Sequence, residues 1–271
     1  MSVATASGVG RIERAFASAR AEGRVAVVVG VTVGFPERAG TAGILRAAID
    51  GGADVIELCV PFSDPMADGA TIQRANEVAL AQGVTLANCI GEGASLVRDR
   101  EAAVLLMGYL NPFLRHGPGL AADLRTAGIA GVIVPDLPAE ESAELDATFI
   151  PAGLVRIDMY APTTPDARLD RLLPSARGFV YCVSLTGVTG ARAGLPADVG
   201  AFVARVRART HLPVALGFGI SSPEHVRELA GTVDGVVVAS AAIDAIGRAA
   251  PAERESALRD FVRSLREAGT R

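Results

Sequence analysis

Apolar residues recur along the chain as short continuous runs separated by segments of helical period. Val25 to Val33 reads VAVVVGVTV, and comparable runs follow at Asp54–Val60, Ala103–Tyr109, Gly131–Asp136, Leu154–Tyr160, Gly178–Ser184, Pro213–Ile220 and Gly235–Ser240. Continuous rather than alternating strands are buried on both faces, as parallel strands under helices are. Between them the periodicity predicts helices at Thr41–Ile49, Thr71–Gln82, a weaker one at Asn88–Arg98, then Leu120–Ala127, Glu140–Phe149, Asp166–Leu173, Ala197–Thr210 and Pro223–Ala230. An amphipathic helix at Arg11–Glu22 precedes the first strand, and terminal helices run to about Ala268. Eight βα units with no linker between them predict an α/β fold, a (β/α)8 TIM barrel with an additional N-terminal helix, as a single domain over residues 1–271. The competing doubly wound sheet would carry a glycine fingerprint after its first strand, and GVTVGFP is not G-x-G-x-x-G.

Composition narrows the chemistry. All 26 basic residues are Arg, so Schiff-base aldolase, pyridoxal and P-loop chemistry, each of which needs a Lys, is excluded. The net charge of -4 comes without a basic stripe, which argues against nucleic acid. Cys59, Cys89 and Cys182 are scattered and read as reduced thiols. The N-terminal residues lack a signal-peptide pattern and no apolar run is long enough to span a membrane, so the expected location is cytoplasmic. His116, His211 and His225 lie far apart with no metal-site spacing, and no metal is expected.

In a barrel of this kind the loops after the strands build the site. Glu57 stands inside an apolar strand, on the face shared by Val55 and Cys59. There it is either paired with an inward Arg, for which Arg156 is the strand candidate, or capped by backbone amides, or, if that face is the interior and neither holds, left with a raised pKa suited to acid-base work. Asp68, in what reads as an exposed loop just before a helix, has the look of a turn or cap residue. GFGISS (Gly217–Ser222), VAS (Val238–Ser240) and the LTGVTG loop could bring the amides of Gly190, Gly219 and Ser240 onto one phosphate. Tyr109, Asn111, Asp136, Tyr160, Thr163 and Tyr181 fall at or near strand ends, where contact with a ligand and plain rim packing are both open.

IELCVPFSDPMADGATIQRA, LLMGYLNPFLRHG, GVIVPDLPAEES, APTTP, VSLTGVTGAR, LPVALGFGISSPEHV and DGVVVAS follow one another across nearly the whole chain. Together they resemble the tryptophan synthase α subunit family, the PFSDPxADG stretch being the most specific of them. The resemblance implies a lyase that cleaves indole-3-glycerol phosphate to indole and glyceraldehyde 3-phosphate without cofactor or metal. It implies Glu57 as the acid-base and Asp68 as acceptor of the indole N–H. It further implies a pocket at Tyr109, Tyr181, Thr189 and Phe218, and phosphate contacts at Gly190, Gly219, Ala239 and Ser240. A surface of Pro61, Asp64, Pro65, Asn111, Asp136 and Pro138 would meet a pyridoxal-bearing β subunit. The chain departs from the family pattern at Gly30, which would open an aromatic wall, at Leu185 before the glycine loop, and at Ala239, which would crowd the phosphate. These departures leave room for a free-standing or specialised indole producer, or for a weakly catalytic barrel that regulates a β-type subunit.

Overall fold

The computed structural model describes residues 8–100, 102–183, 199–217 and 219–270. In chain order its elements are α1 (Gly8–Ala21), β1 (Ala26–Thr32), α2 (Thr41–Asp50), β2 (Val55–Cys59), α3 (Ala70–Ala81), α4 (Leu86–Arg100) and β3 (Ala103–Met107). Then come α5 (Leu110–His116), α6 (Leu120–Ala127), β4 (Gly131–Ile133), α7 (Ala143–Phe149), β5 (Val155–Ile157) and β6 (Met159–Tyr160). The last third holds α8 (Asp166–Leu172), β7 (Val180–Val183), α9 (Val199–Arg207), β8 (Val214–Gly217), α10 (Pro223–Leu229), β9 (Gly235–Val238), α11 (Ser240–Arg248) and α12 (Arg254–Ala268). Every pairing between these strands is parallel, in the order β5-β4-β3-β2-β1-β9-β8-β7-β6.

Among the described residues, nine strands rather than eight result from one interruption. The expected strand Leu154–Tyr160 breaks at Asp158, and its halves lie at the two edges of the sheet. β5 pairs with β4, Val155 opposite Gly131, while β6 pairs with β7, Met159 opposite Tyr181. The Asp158 carbonyl itself accepts the Tyr181 N–H at 3.0 Å. The fifth chain segment is therefore the seam of the barrel, changing partner partway along as the tilt of a closed sheet requires.

Strand parity sorts the core into two layers. Ala26, Val28, Val55, Ala103, Leu105, Ile133, Val155, Ile157, Ala215 and Val237 fill the barrel, and Ile12, Phe16 and Ala19 of α1 pack against them. Phe16 meets Phe179 at 5.2 Å between ring centres. The alternate residues Val27, Val29, Ile56, Leu58, Val104, Leu106 and Val236 pack outward under the helices. Arg156 follows the outward parity. Its guanidinium pairs with Asp146 of α7 at 3.0 Å and with Asp158, so the inward cation considered for Glu57 is absent from that face. The sequence pattern also missed α5, because strand β3 ends at Met107 and Asp136 Oδ1 accepts the Leu110 N–H at 2.9 Å, satisfying the start of a helix from across the loop.

Candidate active site

Glu57 sits at the middle of β2, opposite Gly30 of β1 and Leu105 of β3. The period of two that puts Ile56 and Leu58 under the helices turns its carboxyl into the barrel, where it is 2 % exposed. Oε2 has no hydrogen-bond partner among the described residues, and Oε1 meets only the Cys59 thiol at 4.0 Å. Burial, and then the charge of Asp68, push its pKa up to about 8. A carboxyl so placed is mostly protonated at neutral pH and stays within reach of ionisation. It can give a proton and take one back.

Asp68 is buried, contrary to its reading as an exposed turn residue. The loop from Val60 to Gly69 folds it inward ahead of α3, where it leaves the helix start uncapped. Asn76 Nδ2 donates to its Oδ2 at 3.2 Å, and the Tyr109 hydroxyl also hydrogen-bonds it. That hydroxyl accepts the Ala67 N–H at 2.9 Å, and the Tyr109 ring stacks on Phe62 at 5.2 Å. Burial raises the Asp68 pKa, while Asn76 and Tyr109 oppose the rise by donating to the carboxylate. Tyr109, whose own phenol is pushed well above its ordinary value by burial, is a neutral donor. Replacing it with Phe should lower turnover about tenfold in steady-state kinetics, the size expected for one lost hydrogen bond to a charged group.

Both carboxyl groups line one cavity of ≈ 910 Å³, counted to its open mouth. Cys59, Met107, Tyr109, Met159, Tyr181, Val183 and Val237 give it an apolar wall, Gly219, Ile220, Ser221 and Ser240 give it a backbone-rich end, and Ala239 stands between that end and Glu57. An apolar wall joined to a backbone-rich end suits a flat apolar ring carrying a short polar tail. Ser240 begins the nine-residue helix α11, whose free amides and dipole favour an anion there.

Of the residues singled out from sequence, Glu57, Asp68, Tyr109, Tyr181, Gly219, Ala239 and Ser240 come together here. Thr189, Gly190, Phe218 and Leu185 lie outside the described residues. Tyr160 is buried and Thr163 stands beside it in a neighbouring cleft with Arg156 and Asp158. Asp64, Asn111 and Pro138 are exposed, Pro65 and Asp136 are partly covered, and Pro61 is buried. Sequence reasoning overlooked Asn76 and Cys59. Asn76 had a signal: it is the polar member of the buried stripe Ile72, Ala75, Asn76 and Ala79 on α3, and a buried amide needs a partner.

Gly30 itself is not among the residues that line the cavity. A β-carbon at that position would lie 2.6 Å from Cβ of Ala239, which already occupies the space. The two departures from the family pattern fit one another.

The family model of the tryptophan synthase alpha chain matches residues 16–269. The tryptophan synthase alpha chain of Roseiflexus sp. (strain RS-1) is 51% identical over 258 residues, 94% of this chain and 99% of the relative. That of Chloroflexus aggregans is 49% identical over 257 residues, 94% of this chain and 96% of the relative. Among solved structures, a chain of Mycobacterium tuberculosis tryptophan synthase superposes with a TM-score of 0.89 at 34% identity, covering 96% of this chain and 98% of that one. The alpha chain from Legionella pneumophila gives 0.86 at 32% identity, covering 95% and 96%. Agreement of this extent in sequence and in backbone has one explanation: the chain belongs to the tryptophan synthase alpha chain family.

Proposed function

We propose that this protein is a carbon-carbon lyase that cleaves indole-3-glycerol phosphate to indole and glyceraldehyde 3-phosphate by general acid-base catalysis. The observation that carries the reading is the buried, unpaired Glu57 carboxyl facing the same cavity as a hydrogen-bonded Asp68. Protonated Glu57 gives its proton to the ring carbon that bears the side chain. The positive charge this creates on the ring nitrogen falls to Asp68, which Asn76 and Tyr109 hold in place. The Glu57 carboxylate then takes the proton of the adjacent hydroxyl as the carbon–carbon bond breaks. The bond electrons return to the ring, indole and the aldehyde leave, and Glu57 ends protonated as it began. The amides around Gly219 and Ser240 would hold the phosphate, together with Gly190, and Tyr181, Thr189 and Phe218 would wall the ring.

The partner proposed for this reaction is a tryptophan synthase beta subunit that receives the indole. Support for a partner surface comes from Met66, 78% exposed between Asp64 and Asp68, and Leu114, 60% exposed on the helix that holds Asn111. Exposed large apolar side chains beside polar ones suit a docking face. Pro61 belongs to it only as a support from beneath, being buried. The purified chain should release indole from indole-3-glycerol phosphate, and faster when a beta subunit is added. Release in neither condition would refute the lyase; stimulation of the beta subunit without any release would favour a purely regulatory barrel.

A further inference from the structure

The ends of β1 and β9 leave room for a single side-chain carbon between them at the level of Glu57. A β-carbon on Gly30 would stand 2.6 Å from Ala239 Cβ, 3.2 Å from Ala239 Cα and 3.6 Å from Glu57 Oε1. Carbon atoms in contact prefer about 3.5–4.0 Å. Relief by side-chain rotation is not available, since the opposing atoms are a methyl and the backbone carbon that carries it. Ala239 is also held at the junction between β9 and α11, where its carbonyl accepts the Ile243 N–H at 2.9 Å. Gly30 in turn is locked in the ladder against Glu57. Of the two residues, only Ala239 lines the cavity.

We propose that Gly30 and Ala239 form a paired size filter: the Ala239 methyl, seated over the bare Gly30, sets the depth of the cavity at its Glu57 end and so limits the ring the site accepts. The identity of that ring as indole rests on the lyase reading given above; the pairing itself does not. Removing the methyl opens a hollow floored by Gly30, next to the carboxyl that must reach the ring carbon. A hollow of that size matches one methyl substituent on the ring. Discrimination by one such group in an apolar pocket is about 10- to 200-fold.

The test uses binding as well as turnover. The chain contains no Trp, so the emission of a bound indole is read without interference from protein indole. Indole and its 2-, 4-, 5-, 6- and 7-methyl derivatives are titrated into wild type and Ala239→Gly. In the variant, at least one methylindole should gain about tenfold or more relative to indole; affinity ratios unchanged across the whole series would overturn the filter. Failure of wild type to bind indole at all would remove the ring pocket and the filter together. Binding without turnover would count against the lyase reading alone. Thermal unfolding of Gly30→Ala, Ala239→Gly and the double variant supplies a readout independent of ligand. Gly30→Ala should be destabilised and the double variant restored toward Ala239→Gly; strictly additive shifts would overturn the pairing. Should Gly30→Ala alone fail to fold, folding of the double variant supports the pairing and its failure to fold counts against it.

Discussion

Glu57→Gln should lose at least ~100-fold in turnover, the usual contribution of a positioned general acid-base, while its fold stays intact. Glutamine keeps the volume and cannot release a proton, so the ring carbon goes unprotonated and the hydroxyl keeps its hydrogen. Substrate affinity should change far less than turnover, because the phosphate end is untouched. Full activity in the variant would dismiss Glu57 as the acid-base. The same substitution should alter stability in a direction set by pH. The folded pKa of Glu57, about 8, stands above its ordinary 4.5, so between these values the folded chain holds a proton that the unfolded chain releases. The stabilising protonation is complete below about pH 4.5, and wild-type stability falls as pH rises from there through about 8. Gln carries no such dependence. Denaturant unfolding should therefore find the variant similar to wild type near pH 4.5 and more stable by on the order of 3 kcal/mol near pH 7.

Asp68→Asn should reduce turnover by about 100-fold or more, as loss of a preplaced charge facing a developing one does elsewhere. An amide can accept the ring N–H, yet it cannot offset the positive charge on the nitrogen. A second consequence separates this role from simple positioning. The charge of Asp68 helps raise the Glu57 pKa, so its removal should bring that pKa down. In wild type, kcat/KM should fall as pH rises through about 8, where Glu57 loses the proton it must deliver. In Asp68→Asn the residual activity should fall at lower pH. A descending limb that stays in place would mean the two carboxyl groups do not sense one another.

The Gly30 and Ala239 pairing bears on how the departures from the family pattern are understood. Taken one at a time, a missing side chain and an added methyl suggest a damaged or widened pocket. Seen in contact, the Ala239 methyl takes the place a Gly30 β-carbon would need, and Glu57, Asp68 and the remaining apolar wall line one cavity.

Continuous β-branched runs alternating with amphipathic segments were enough to specify parallel strands under helices, because burial on both faces leaves a strand little choice of setting, and the count of eight such units pointed to a barrel. Strand parity put Glu57 on one face with Val55, and the absence of Lys bounded the chemistry; that this face is the interior was decided by the helices that cover Ile56 and Leu58. The resemblance to the family raised Asp68 from a turn residue to a candidate partner of Glu57. Local pattern had nothing to say about contacts between segments far apart in the chain. Burial of Asp68 depends on Tyr109 and Asn76 arriving from two other elements. Arg156 turns away from Glu57 because Asp146 on α7 and Asp158 claim it. The seam at Asp158 exists because a closed sheet must meet its own edge, and that requirement belongs to the barrel rather than to residues 154–160. The room for one carbon between Gly30 and Ala239, more than 200 positions apart, was likewise decided by packing alone.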